Sequence, residues 1–158
     1  MDKFIAGECD IVTTDGSALV GRRAVNDALN DWSIFPQSPI SKEPLGPVYR
    51  SNDSAWGDVI NWVVYATIIA DEYGVTSANV DSVDTDALPE LGRLFGANDG
   101  ELQTIMGLDA KAFYNVIKQV GNYDEIYSRN LNPVGLFREG GANDRWTNGG
   151  LIYAPPAR

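Results

Sequence analysis

The sequence T-T-D-G-S, residues 13–17, sets two hydroxyls and a carboxylate directly before a helix-forming run. Asp15 or Ser17 there can cap the helix by accepting its first backbone N–H groups. Elsewhere the chemistry is sparse. There is no histidine, so histidine triads and His-rich metal sites are excluded. No acid–base pair is visible, and the chain reads as a non-enzyme without cofactor or metal. Cys9 is the one cysteine; a lone cysteine reads first as a small buried apolar residue, and second as half of a bond whose partner lies elsewhere. Asp81, Asp84 and Asp86 lack the spacing and glycine of a calcium loop and read as a solvated turn. Trp56, Trp62, Phe113 and Tyr114 could form a stacking site, but helical spacing in apolar company makes them core.

The elements that must hold these residues follow from composition and pattern. The 158 residues amount to about one domain, and 44% of them are hydrophobic, enough for a packed core. A formal net charge of −10 disfavours nucleic acid, which needs clustered Lys and Arg. The start, "MDKFIAGECD", has no long apolar core of a signal peptide. The most apolar run, "VINWVVYATIIA", is too short to cross a bilayer, for which a helix needs about 20 residues.

Residues 8–14 read as a short strand, with Ile11, Val12 and the threonines favouring it. A helix follows, with Ala18, Val25, Ala28 and Leu29 on one face, ending near Asn30. Residues 32–36 read as a second strand. Prolines 36, 39, 44 and 47 then mark an extended crossing segment and a hinge, with "PVYR" its most strand-like part; Gln37 and Ser38 could line that hinge or be a solvated turn. Asp53 caps the strongest helix, about 54–73, apolar on two stripes and stopped at Gly74. Shorter helices end at Gly96 and Gly107. Asp109 opens another through Phe113, Val116, Ile117 and Val120, and "YDEIYSRNL" resumes the helical pattern after Gly121. Trp146 and Tyr153 are expected to anchor the glycine-rich end.

Five stretches occur in order: "AGECDIVTTDGSAL", "ISKEPLGPVYR", "DEYGVTSANV", "IKQVGNYDEIYSRN" and "WTNGGLIYAPPAR". Together they resemble the C-terminal half of the general L-amino-acid-binding proteins, periplasmic solute-binding proteins (family 3) of ABC importers. The resemblance covers essentially the whole chain. It implies an α/β chain forming the C-terminal part of a bilobal type II periplasmic-binding-protein fold, helix-rich with few strands. Residues 1–37 would be a remnant of lobe two (strand, helix, strand). Residues 38–158 would be the return crossing and the C-terminal share of lobe one.

The same resemblance implies a fragment or truncated form of a periplasmic protein that delivers L-amino acids to an ABC importer. Its partners would be an L-amino acid, in the complete protein, and the transporter permease. Asp15 stands where the family grips the ligand's α-ammonium, and a Thr14 hydroxyl could face the cleft. Both roles of Asp15, cap and ligand acceptor, can coexist. The ligand carboxylate is held in the family by positions outside this chain, and Arg22, Arg23, Arg50 and Arg93 do not fall in that motif. A cysteine equivalent to Cys9 may bond there to one earlier in lobe two. The family usually carries basic residues where Glu8 and Gly16 stand, and "GANDRW" is less apolar than its counterpart. The alternative is a stand-alone truncated module that associates without binding ligand. In either case, strands without neighbours favour a homo-oligomer.

Overall fold

The computed structural model describes residues 1–29, 31–36, 39–97 and 101–158, the side chain of Glu101 excepted. The described residues form seven α-helices: α1 (Asp2–Ile5), α2 (Gly16–Asn26), α3 (Ser54–Glu72), α4 (Pro89–Leu94), α5 (Glu101–Ile105), α6 (Ala112–Val120) and α7 (Tyr123–Leu131). Three short 3-10 turns lie at Val80–Ser82, Asn132–Val134 and Trp146–Asn148. By internal contacts the chain divides into two compact units. The first is Met1–Gly46 with Leu131–Leu136, and the second is Pro47–Asn130 with Phe137–Arg158.

The helix-rich expectation holds, and the few strands do not form. Residues 8–14, 32–36 and 47–50 are neither helix nor strand, and the one β-bridge among the described residues pairs Arg145 with Ile152 in parallel. The β-branched residues 11–14 supply propensity only. A strand exists by its ladder, and no described segment pairs with these.

In the second unit, α3 is the spine. The Asp53 carboxylate accepts the Trp56 N–H at 3.0 Å, a true N-cap. Gly74, at φ 67°, follows its last turn. Its C-terminal half is buried from Ala66 to Asp71 and packs on α6, where Phe113 and Ile117 are fully buried. Leu91, Leu94 and Phe95 of the α4 region complete the core. Its N-terminal half is covered less: Val59, Ile60, Trp62, Val63 and Val64 are half-buried and Trp56 is 53% exposed. So Phe113 and Trp62 join the core as expected, and Trp56 does not. Gly96 combines φ 66° with a backbone so close to Ala110 that a Cβ would overlap its carbonyl.

The start of α7 is fastened by a reciprocal capping box. The Asn122 carboxamide oxygen accepts the Glu125 N–H at 2.8 Å, and the Glu125 carboxylate accepts the Asn122 N–H at 2.9 Å. Glu125 also accepts from the Ser77 hydroxyl at 2.6 Å and the Ser77 N–H at 3.0 Å. Asn122 donates to the Val75 carbonyl at 2.8 Å. Burial pushes the Glu125 carboxyl up, but the bonds from Ser77 and the Asn122 N–H outweigh it and hold its pKa below the ordinary value.

Candidate functional site

In the first unit, Asp15 occupies the N-cap position of α2, with φ −54° and ψ 142°, and its carbonyl accepts the Leu19 N–H at 2.9 Å. Its carboxylate makes no capping bond and is exposed. Of the two roles open to Asp15, side-chain capping is therefore unused. Thr14, directly before it, is exposed, as is Thr13. The turn thus presents a free carboxylate and neighbouring hydroxyls at the start of an 11-residue helix.

What positions this turn is α2, and its inward face differs from the expected one. Val20 is buried and Leu19, Arg23 and Asp27 are half-buried, whereas Val25 is 83% and Leu29 81% exposed. The helix ends at Asn26, before Asn30, because Asp27 turns the chain back. Its carboxylate accepts the Asp31 and Trp32 N–H groups, both at 2.9 Å. Trp32 then meets Phe4 of α1 edge-on, with ring centroids 5.0 Å apart. Cys9 is exposed and free, which corrects the buried reading; nothing in the segment around it packs over the thiol. Gln37 and Ser38 lie outside the described residues.

The second unit contains an open groove of about 640 Å³ lined by Glu72, Tyr73, Glu90, Trp146, Thr147, Tyr153, Ala154 and Pro156. Its carboxylates are engaged. Glu90 accepts from the Tyr73 hydroxyl at 2.8 Å and from the Ala157 N–H at 2.8 Å, while Arg93 donates to the Ala157 carbonyl at 2.8 Å. Glu72 accepts from the Trp146 indole N–H at 2.9 Å. Burial raises the Glu72 pKa, and the bond to Glu90 raises that of Tyr73. The tail is anchored at fully buried Ala157, with Trp146 as a surface tether and Tyr153 68% exposed, so Tyr153 is not the anchor expected. Next to Glu72 in α3, buried Asp71 pairs with buried Arg138 at 2.5 Å. Arg138 also donates to Asp124 at 3.1 Å and to the Asn143 carbonyl at 2.6 Å, and its guanidinium lies 4.9 Å from the Tyr123 ring centre. Glycine spacing alone could not have revealed this network.

Of the remaining acidic residues, Asp81 accepts from the Tyr114 hydroxyl and from Lys118 at 2.6 Å. Asp84 caps its own turn through the Asp86 and Ala87 N–H groups, at 3.1 and 3.0 Å. Asp81 thus ties α6 to the 3-10 turn at Val80–Ser82, while Asp84 serves only its own turn. No group of three or more potential metal ligands occurs among the described residues. No described helix is long and apolar enough to cross a membrane.

No family model matches the chain. It is 44% identical over 99% of its length to the glutamate/glutamine/aspartate/asparagine-binding protein BztA of Rhodobacter capsulatus, covering 46% of that protein. It is 43% identical over 98% of its length to the general L-amino acid-binding periplasmic protein AapJ of Rhizobium johnstonii, again covering 46%. Among solved structures it is similar to an ABC transporter periplasmic binding protein from Brucella ovis with glutathione bound. That match has a TM-score of 0.90 and 40% identity, over 99% of this chain and 49% of the other. The fold is thus that of part of a periplasmic binding protein. The chain is a homologue of amino-acid-binding periplasmic proteins of ABC transporters, and it spans about half the length of the curated relatives it matches.

Proposed function

We propose that this chain is the C-terminal half of a periplasmic protein that captures L-amino acids for an ABC importer, and that Asp15 receives the ligand's α-ammonium with Thr14 beside it. The observation that carries the reading is the exposed Asp15 carboxylate, left unused by the helix it precedes. An ammonium removed from water needs a charged acceptor, and a carboxylate already committed to a cap would serve less well. The likeness to binding proteins over nearly the whole chain supports the class. The work of the whole protein, periplasmic capture and hand-over to the permease, follows from that class. In the family this chain resembles, the ligand's carboxylate is held by positions outside it, so by itself the chain should bind amino acids poorly.

The test is a chimera in which this chain replaces the matching stretch of the Rhodobacter capsulatus relative. Calorimetry with neutral, acidic and basic amino acids should show binding by the chimera and none in the micromolar range by the chain alone. Asp15→Asn should weaken the chimera by about tenfold or more, since it removes the charge paired with the ammonium. Undiminished binding by a folded Asp15→Asn chimera would exclude the assigned role.

A further inference from the structure

The groove of the second unit combines two carboxylates and three aromatic rings with no cation among them. Glu72 and Glu90 are half-buried, and neither forms an ion pair among the described residues. The basic residues that could serve them are spent elsewhere. Arg93, on α4 with Glu90, donates its Nε to the Ala157 carbonyl, and Arg145 donates to the Asp71 carbonyl at 3.1 Å. Each carboxylate instead steadies a ring. Glu72 takes the Trp146 indole N–H and Glu90 the Tyr73 hydroxyl, bonds that hold the rings by their edges and leave oxygen lone pairs spare. Tyr73 is 43%, Trp146 58% and Tyr153 68% exposed. The cations that do lie over rings among the described residues are at other places, Lys111 over Tyr114 and Arg138 over Tyr123.

Fixed aromatic faces beside carboxylates with spare acceptor sites call for a flat cation rich in N–H donors. A guanidinium meets both demands, because its plane stacks on a ring while its fork of N–H groups serves carboxylate oxygens. Burial, with the charges of Glu90 and Asp71 adding to it, disfavours the Glu72 anion, and an arriving cation offsets both effects. The groove, of about 640 Å³, is open, so it does not enclose a small molecule as a ligand pocket does. Its cation is held better when carried on a longer chain that rests on the rim. We infer that the groove docks an arginine side chain presented by a peptide segment of a partner protein, its guanidinium set among Tyr73, Trp146 and Tyr153 and bonded to Glu72 and Glu90. Capture of an amino acid at Asp15 is not needed for it.

The test is a titration of the isotope-labelled chain with acetyl-Gly-Arg-Gly-amide, read by NMR at the Trp146 indole N–H and assigned with Trp146→Phe. The shift should saturate with a Kd in the millimolar range or below. The citrulline peptide, neutral and of the same shape, should bind at least about tenfold more weakly. Tyr153→Ala, at a ring too exposed to matter for folding, should weaken binding about threefold or more, and Glu90→Gln about tenfold. Asp58→Asn, which removes an exposed charge outside the groove, should leave it unchanged. No saturable shift up to about 20 mM peptide, equal binding of the citrulline peptide, or full-strength binding by Tyr153→Ala would overturn the inference. An equal loss with Asp58→Asn would do the same, by showing mere attraction to a negative surface. Methylguanidinium binding as tightly as the peptide would make this a small-ion site and defeat the peptide assignment. The shift should persist in the chimera with the Rhodobacter capsulatus relative; its disappearance there would mean that the groove is filled by the rest of the fold, and would defeat the assignment too. Failure of that chimera to bind amino acids would count only against the role of Asp15.

Discussion

Single residues here are read best by asking which bonds their polar atoms already hold. Glu125 holds three donors, serving the Asn122 and Ser77 N–H groups and the Ser77 hydroxyl at once. Those donors favour the ionised form, so its folded pKa lies below its unfolded one. The stability it contributes is therefore complete at neutral pH and is lost as pH falls below about 4.3 and through the lower folded value. Glu125→Gln should cost about 1–2 kcal/mol at pH 7 and flatten the acid limb of the stability curve, as urea titrations across pH would show. Asp15 is the opposite case, a carboxylate in capping position with no bond to the helix. Sequence pattern located it and the role proposed for it rests on family likeness, but whether its side chain was committed to the helix is a matter of local geometry that the pattern does not encode. Cys9 was misread because solitary cysteines are usually buried. Exposed as it is, it should react completely with Ellman's reagent without denaturant, at one thiol per chain.

At the scale of elements, legibility tracks how local the determinants are. α3, α4, α6 and α7 stand where glycines and apolar spacing put them, because an α-helix closes its hydrogen bonds within a few residues; α6, however, begins at Ala112, and Asp109, the expected opener, accepts the Lys111 N–H in the turn before it. The four-residue α1 carries too few positions for a periodic signal. α2 ended early because Asp27 bonds to the N–H groups of Asp31 and Trp32, a local competition the apolar pattern does not encode. The strands failed for the converse reason: their bonds must come from elsewhere in the chain, and propensity cannot supply a partner. The Arg145–Ile152 bridge is the exception, and it depends on Gly150, whose missing Cβ lets the backbone close on Asp144. Gly150→Ala should force that turn open and cost about 1–3 kcal/mol, seen as a lowered urea midpoint. Phe113→Ala, emptying the fully buried contact of α6 with the core, should cost more, about 3–5 kcal/mol.

At the scale of the molecule, the two units differ in how much they bury. The second holds the core built on α3, α4 and α6 and the buried Asp71–Arg138 pair. Removing either partner of that pair would strand a charge and cost about 3–5 kcal/mol. In the first unit, Val20 is the one buried residue among those described. Apolar burial is the main term opposing chain entropy, so a unit with so little of it has a small opening free energy. The amides of α2 should therefore exchange at least about 100-fold faster than those of α3 between Trp62 and Ala70. Those of α6 should follow α3, since the two share Phe113 and Ile117. Native-state exchange read by mass spectrometry on the isolated chain is the measurement. Equal protection in α2 and α3 would mean that the first unit draws stability from contacts other than its own burial. If the chimera with the Rhodobacter capsulatus relative binds amino acids, α2 should gain protection on adding ligand, because a ligand held at Asp15 stabilises the helix that carries it.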